Sequence, residues 1–311
     1  MIMKKYSFRL WAVSLTLIYC CFIACNEAPV NTATDTPTSG TINISVDESF
    51  RPVIEAQIKV FESSFPNAKI IAHYKTEAEC FRDLYTDSSN RMIIVTRGLT
   101  VKESRYYADS LSYSPVSDPI ARDAITILVN AASNDTLFSK ERLQQQLTGK
   151  LKNNQVIVFD GLNATSTVRY AIDSLLNGGQ FDSTVVKAVK NSQAVIDFVA
   201  NNKDAIGFAG ISWIGNPEDT AQVNMLKKVK MAYVQCRNCG DSSYVKPSQL
   251  GIVTKQYPLV RGLYYILKEN YSGLGSGFAQ FLKYERGQLI FRRAYLAPMM
   301  GFEVRSVKIN E

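Results

Sequence analysis

Few residues of this 311-residue chain have types and spacings that could do chemistry. The one histidine, His73, lies on or beside a strand-like segment, and no nucleophile elbow accompanies it. There is no HExxH, no phosphate-binding P-loop and no GxGxxG. The run Ser272-Gly273-Leu274-Gly275-Ser276-Gly277 lacks the lysine of a phosphate loop and reads as a flexible loop before a C-terminal helix. Cys236-Arg237-Asn238-Cys239 is a lone CxxC. A zinc site would want a second pair or a nearby histidine, and a thioredoxin-like motif should open a helix, whereas Gly240 to Ser243 reads as a turn. A local Cys236–Cys239 disulfide is the expectation, two free thiols the alternative, and Cys80 is left unpaired. Nothing here points to a catalytic centre, a metal or a cofactor. Thr165-Ser166-Thr167 places three hydroxyls before a helix-like segment. Such residues cap helices routinely, and the same hydroxyls can donate to an anion.

The formal net charge is +7, but Lys4, Lys5 and Arg9 supply three of those charges in a stretch without acids, leaving +4 for the rest. That balance tolerates an anionic ligand and falls far short of a nucleic-acid footprint. The basic start is followed by the apolar run Leu10 to Ile23, too short to span a bilayer as a helix, and then by Ala24-Cys25. This is the layout of a secretory signal, and Phe22-Ile23-Ala24-Cys25 resembles a lipobox, which implies lipid attachment at Cys25. Residues 26–40 are small, polar and proline-containing, the composition of a flexible tether. The expectation is an exported protein of the periplasm or cell envelope, anchored to the membrane through lipid on Cys25.

Beyond the tether, strand and helix patterns alternate. Thr41 to Val46, Ala68 to His73 and Arg91 to Thr96 read as strands. Pro52 to Phe65 and Glu77 to Thr86 read as helices between them. Ala124 to Asn130, Gln155 to Phe159 and Ala205 to Phe208 continue the strand series. Arg142 to Leu147, Thr167 to Leu176, Ser192 to Asn201 and Gly277 to Arg286 continue the helix series, and Pro258 to Lys268 is a late strand region. The order argues for an α/β fold.

Several segments resemble the phosphate-type substrate-binding proteins of ABC importers. They are Ser117 to Asn130, Asp204 to Gly210, Gln256-Tyr257-Pro258-Leu259 and Phe278 to Pro298. The similarity runs from about residue 41 to about 300. It implies an α/β, two-lobed fold of the periplasmic binding protein-like type II, each lobe a mixed sheet flanked by helices. Two crossover strands would join lobe 1 (41–118 plus 245–311) to lobe 2 (119–244). A small oxyanion, phosphate above all, would be captured between them by a monomer that serves an ABC permease. A surface or interaction lipoprotein that kept the fold without transport is the alternative.

The resemblance also implies ligand residues. Thr165, Ser166 and Thr167 occupy the place of the family's Ser-Gly-Thr, with Arg169 just beyond. Asp47-Glu48-Ser49-Phe50 matches the first ligand loop, with Ser49 the donor and Phe50 beside it. Two departures stand out. Gly161 falls where the family has an arginine, and Thr96-Arg97-Gly98 falls where it has an acid. Arg97 would then serve as the anion's partner or pair with Glu77 or Glu79; Arg122 is a weaker cation candidate.

Overall fold

Gly40–Asp47 (β1) forms a strand because Ile42, Ile44 and Val46 recur with period two and bury one face. The computed structural model describes residues 35–301 apart from 152, 162, 163, 241 and 242, and apart from the Leu111 side chain. The expected signal 1–25, Cys25 and most of the tether lie outside the described residues. A short turn, Glu48–Phe50, leads into the helix Arg51–Ser64 (α1). Ala68–Lys75 (β2), Glu77–Thr86 (α2) and Asn90–Val95 (β3) follow, then Val101–Leu111 (α3), a helix that the sequence reading does not include. Thr76 and Glu79 cap α2 reciprocally, and Thr100 and Glu103 do the same for α3.

Val116–Asn130 (β4) is a single strand of 15 residues, twice the length read from its apolar run. Next come Leu137–Phe138 (β5), Lys140–Leu147 (α4), Val156–Phe159 (β6) and Ser166–Tyr170 (α5), which continues as a π turn over Ala171–Leu175. Asn177 and Gly178 then take positive φ and end it. Val186–Ala188 (β7), Ser192–Asn201 (α6), Ala205–Gly210 (β8), Thr220–Met225 (α7), Val229–Met231 (β9), Tyr233–Gln235 (β10) and Tyr244–Val245 (β11) complete the middle of the chain. Gln249–Val253 (α8), Val260–Leu267 (β12), Leu274–Lys283 (α9), Glu285–Arg293 (α10) and Ala297–Pro298 (β13) close it.

One curled sheet runs in the order β2-β1-β3-β12-β4-β8-β6-β7, with β9 and β13 also on β4. The first half pairs β1 in parallel with β2 and β3; the second pairs β6 in parallel with β7 and β8. β4 belongs to both. Its first part lies antiparallel to β12, and from Ile125 to Val129 it lies antiparallel to β8. A small separate sheet joins β5, β10 and β11. Beside it the sulfurs of Cys236 and Cys239 are bonded, whereas Cys80 is a buried free thiol.

Two local expectations need correction. Residues 35–39, counted with the flexible tether, are packed: Asp35 is buried and accepts hydrogen bonds from the Leu274 N–H (2.7 Å) and the Tyr271 hydroxyl (2.9 Å). The glycine-rich run, read as a loop with its helix starting at Gly277, already enters α9 at Leu274. Its glycines serve close approach. A Cβ on Gly275 would meet Glu269 at 2.6 Å, and one on Gly277 would meet the Pro37 carbonyl at 1.9 Å. Gly277→Ala is therefore expected to cost about 1–3 kcal/mol by overpacking. Chemical denaturation reads this directly; an unchanged midpoint would mean that residues 35–39 do not press on α9.

Candidate functional site

The site begins where the two halves of the sheet meet. Asp123 on β4 and Arg261 on β12 are register partners, and Arg261 Nε donates to Asp123 Oδ2 at 2.8 Å. Both side chains are nearly inaccessible, at 3% and 0% exposure. The guanidinium lies over the buried Phe50 ring, 4.8 Å from its centroid. Burial opposes its charge. The neighbouring carboxylates of Asp123, Asp47 and Asp160 nevertheless keep it protonated, above the ordinary arginine range.

From there Arg261 Nη1 reaches the second half, donating to Ser166 Oγ at 2.7 Å and to Thr167 Oγ1 at 3.3 Å. Its Nη2 is buried without a hydrogen-bond partner among the described residues. That nitrogen faces Gly210, where a Cβ would stand 3.1 Å away.

Ser49 enters from the opposite side. Asp47 Oδ1 accepts its N–H at 3.0 Å and so shapes the turn after β1. Trp213 Nε1 donates to the Ser49 carbonyl at 2.9 Å. The Ser49 hydroxyl is thereby held 3.3 Å from Ser166 Oγ and 3.5 Å from Thr167 Oγ1, although more than 100 residues separate them. Thr165 caps α5, with its Oγ1 accepting from the Val168 N–H. Its hydroxyl proton goes to Asp160 Oδ1 at 2.9 Å. The hydroxyls of Ser49, Thr167 and Ser192 lie 3.5, 3.3 and 3.4 Å from Asp160 Oδ2. Asp160 is 6% exposed, and burial raises its pKa against the lowering effect of the threonine hydroxyls and Arg261.

Glu48 bridges the halves as well, accepting from the Ser192 hydroxyl at 2.8 Å. A cavity of about 240 Å³ opens beside this cluster, lined from both halves by residues including Asp47, Glu48, Tyr74, Asp160, Thr165 and Lys190.

Of the residues singled out from the sequence, Ser49, Thr165, Ser166 and Thr167 come together, with Phe50 beneath Arg261. Arg97 and Arg169 are placed otherwise. Arg97 forks onto Glu103 at 2.8 and 2.9 Å and stacks 3.9 Å over Phe81. That fork drives the Glu103 pKa down to about 2. Neither Glu77 nor Glu79 is its partner, because the reciprocal cap at the start of α3 presents Glu103 to it instead.

Arg169 is spent on Glu77 across the halves, with Nε to Oε2 at 2.7 Å and Nη2 to Thr96 Oγ1 at 2.6 Å. Burial raises the Glu77 pKa, but Arg169 and Thr96 outweigh it and the pKa is lowered. Arg122 lines a different cavity beside Met299 and Met300. His73 sits on the edge strand β2 and pairs with Asn43 Oδ1 at 3.1 Å.

Sequence reasoning missed Asp123, Asp160, Ser192 and Arg261. For Arg261 a signal existed. It shares the buried alternation of β12 with Leu263, Tyr265 and Leu267, where a charge demands a buried partner.

The cluster titrates. Asp47 is buried, and burial together with the charge of Glu77 pushes its pKa up to about 7, despite Arg261. An unburied aspartate titrates near 3.8, so the folded chain holds this proton more tightly than the unfolded one. The resulting stability is full below about pH 4 and is lost as pH rises to about 7. Asp47→Asn keeps the cap acceptor and cannot ionise. The variant's melting temperature should gain on that of the parent across pH 4 to 8; a difference constant over that range would refute the assignment.

The comparisons fit this architecture. Residues 31–285 match the family model for the PBP superfamily domain. No curated protein matches. Among solved structures, a candidate phosphate ABC transporter substrate-binding protein with bound phosphate from Clostridium perfringens aligns with a TM-score of 0.67 at 18% identity, covering 84% of this chain and 100% of that one. An ABC-type phosphate transport receptor from Vibrio cholerae aligns with a TM-score of 0.60 at 18% identity, covering 82% and 99%. At such identities the likeness is one of fold. With the family model spanning most of its length and the mixed, curled α/β sheet of those structures, the chain belongs to the PBP superfamily.

Proposed function

We propose that this chain is the solute-binding component of an ABC importer and captures a small oxyanion, hydrogen phosphate foremost. In this reading the two halves of the sheet are two lobes, 41–118 with 245–311 and 119–244, that close on the ligand by a hinge at β4. The protein works as a monomer outside the cytoplasm, anchored through lipid on Cys25, and hands its ligand to a membrane permease. Among the described residues no helix is long and apolar enough to cross a membrane.

The observation that carries the reading is the convergence at one buried point. Ser49 from the first half and Ser166 and Thr167 from the second meet within 3.5 Å, with Arg261 Nη1 donating to the latter two. Hydroxyls and a guanidinium are what an oxyanion needs from a dry site. The solved structures described as phosphate-transport receptors share this fold, which supports the choice of anion.

A second reading is favoured by a separate observation. Arg169 and Glu77 join the halves directly, and a cleft locked by such pairs suits an interaction lipoprotein that no longer transports.

Calorimetric titration of the full chain in detergent with phosphate, and with sulfate as control, separates the two. Phosphate binding that weakens about three- to tenfold in Ser166→Ala, the worth of one neutral hydrogen bond, is the expected result. A folded protein that gives no heat with either anion would favour the locked cleft.

A further inference from the structure

We infer that the Asp160 carboxylate is the resident anion of this cleft, a tethered competitor that sets how tightly a free oxyanion binds. The inference rests on the oxyanion reading and adds a specificity determinant to it. Asp160 directly follows β6, and the next residue is Gly161, the position where the resemblance calls for an arginine. The chain thus carries a negative charge beside the place where a cation is expected.

The partners of that charge are its own backbone N–H and four neutral hydroxyls. Three of those four come from the residues that meet at the junction or cap α5: Ser49, Thr165 and Thr167. The fourth, Ser192, is shared with Glu48. A carboxylate is planar and offers two oxygens. One of these takes a normal bond from Thr165, while the other is approached by three hydroxyls at 3.3–3.5 Å, beyond the usual range for such bonds. Each hydroxyl has one proton to give, and that of Ser192 goes to Glu48 Oε2 at 2.8 Å, so this oxygen keeps only long contacts. A tetrahedral oxyanion distributes more acceptor atoms over the same donors. Arg261 Nη1, which already donates to Ser166 and Thr167, would supply a cation beside it.

The facing charges are mixed. Arg261 on β12 favours an anion at this point, whereas Glu48 on the turn after β1 opposes a second one. Two anions cannot share the cradle, so a free ligand enters as Asp160 withdraws.

The experiment uses the full chain with Asp160→Ala, which removes the carboxylate, and Asp160→Asn, which keeps the shape without the charge. Formate, phosphate and sulfate are the probes, read by thermal shift and calorimetry. Formate, a free carboxylate, should raise the melting temperature of Asp160→Ala in a saturable way and leave the parent unchanged. Phosphate should bind both variants at least tenfold more tightly than the parent. Formate stabilisation of Asp160→Ala without phosphate binding to any form would keep the resident anion and refute the phosphate reading. Phosphate binding by the parent that is lost in both variants would overturn the inference, making Asp160 a ligand contact, and leave the oxyanion reading standing. If neither anion acts on either variant, with circular dichroism showing both folded, the inference falls.

Discussion

The buried pair between Arg261 and Asp123 is the constraint around which the rest is arranged. A guanidinium at 3% exposure is tolerated when its charge is met and its Nε and Nη1 are bonded, and each requirement fixes a neighbour. Asp123 must stand opposite on β4, which sets the register of β12 at the point where β4 passes from one half of the sheet to the other. The Phe50 ring must lie under the guanidinium plane, which fixes the turn after β1. Ser166 and Thr167 must accept Nη1, which fixes the start of α5 against the junction. Removing Arg261 would leave Asp123 buried and uncompensated, at a cost of about 3–5 kcal/mol.

From this pair the polar cluster extends outward in three layers. Innermost are the hydroxyls and Asp160; next come Asp47 and Glu48; at the margin stand Arg169 with Glu77 and Arg97 with Glu103. In the innermost layer three hydroxyls crowd one oxygen of Asp160 at 3.3–3.5 Å. In the marginal pairs each arginine fork is matched to a carboxylate within the protein, which leaves little to offer a free anion. That division explains why the cations that are conspicuous in the sequence are not those that reach the hydroxyls.

What was legible in the sequence follows the same division. Period-two runs such as Ile42, Ile44 and Val46 mark strands locally, and Ser192–Asn201 and Glu77–Thr86 are bounded by caps that the residues themselves announce. Hydroxyls at Thr165 to Thr167 were placed by resemblance. The length of β4 was not legible, because its first part carries Ser117, Asp118, Pro119 and Arg122, polar or strand-breaking residues that are tolerated where β12 supplies the pairing. The start of α9 was hidden by glycines whose reason is Pro37, distant in sequence. Asp160 follows an apolar strand and precedes a glycine, which locally reads as a turn; its burial depends on Ser49 and Ser192 from other elements.

The electrostatic character of the junction follows from these placements. Asp47, Asp123 and Asp160 are buried around one arginine, and burial raises the pKa of all three. Four fixed charges, three of them negative, would be unstable in so dry a place if all were ionised at once. The site relieves this with neutral donors and with protons. Hydroxyls solvate Asp160 without adding charge, and Asp47 gives up its proton only near neutrality. An anion entering such a site gains little from net positive potential. It must win through the number and geometry of hydrogen bonds. On the proposed oxyanion reading, selectivity would depend on shape and on the protonation of the carboxylates, and Ser49, the hydroxyl that the first half brings to the cradle, would tie both to the contact between the halves.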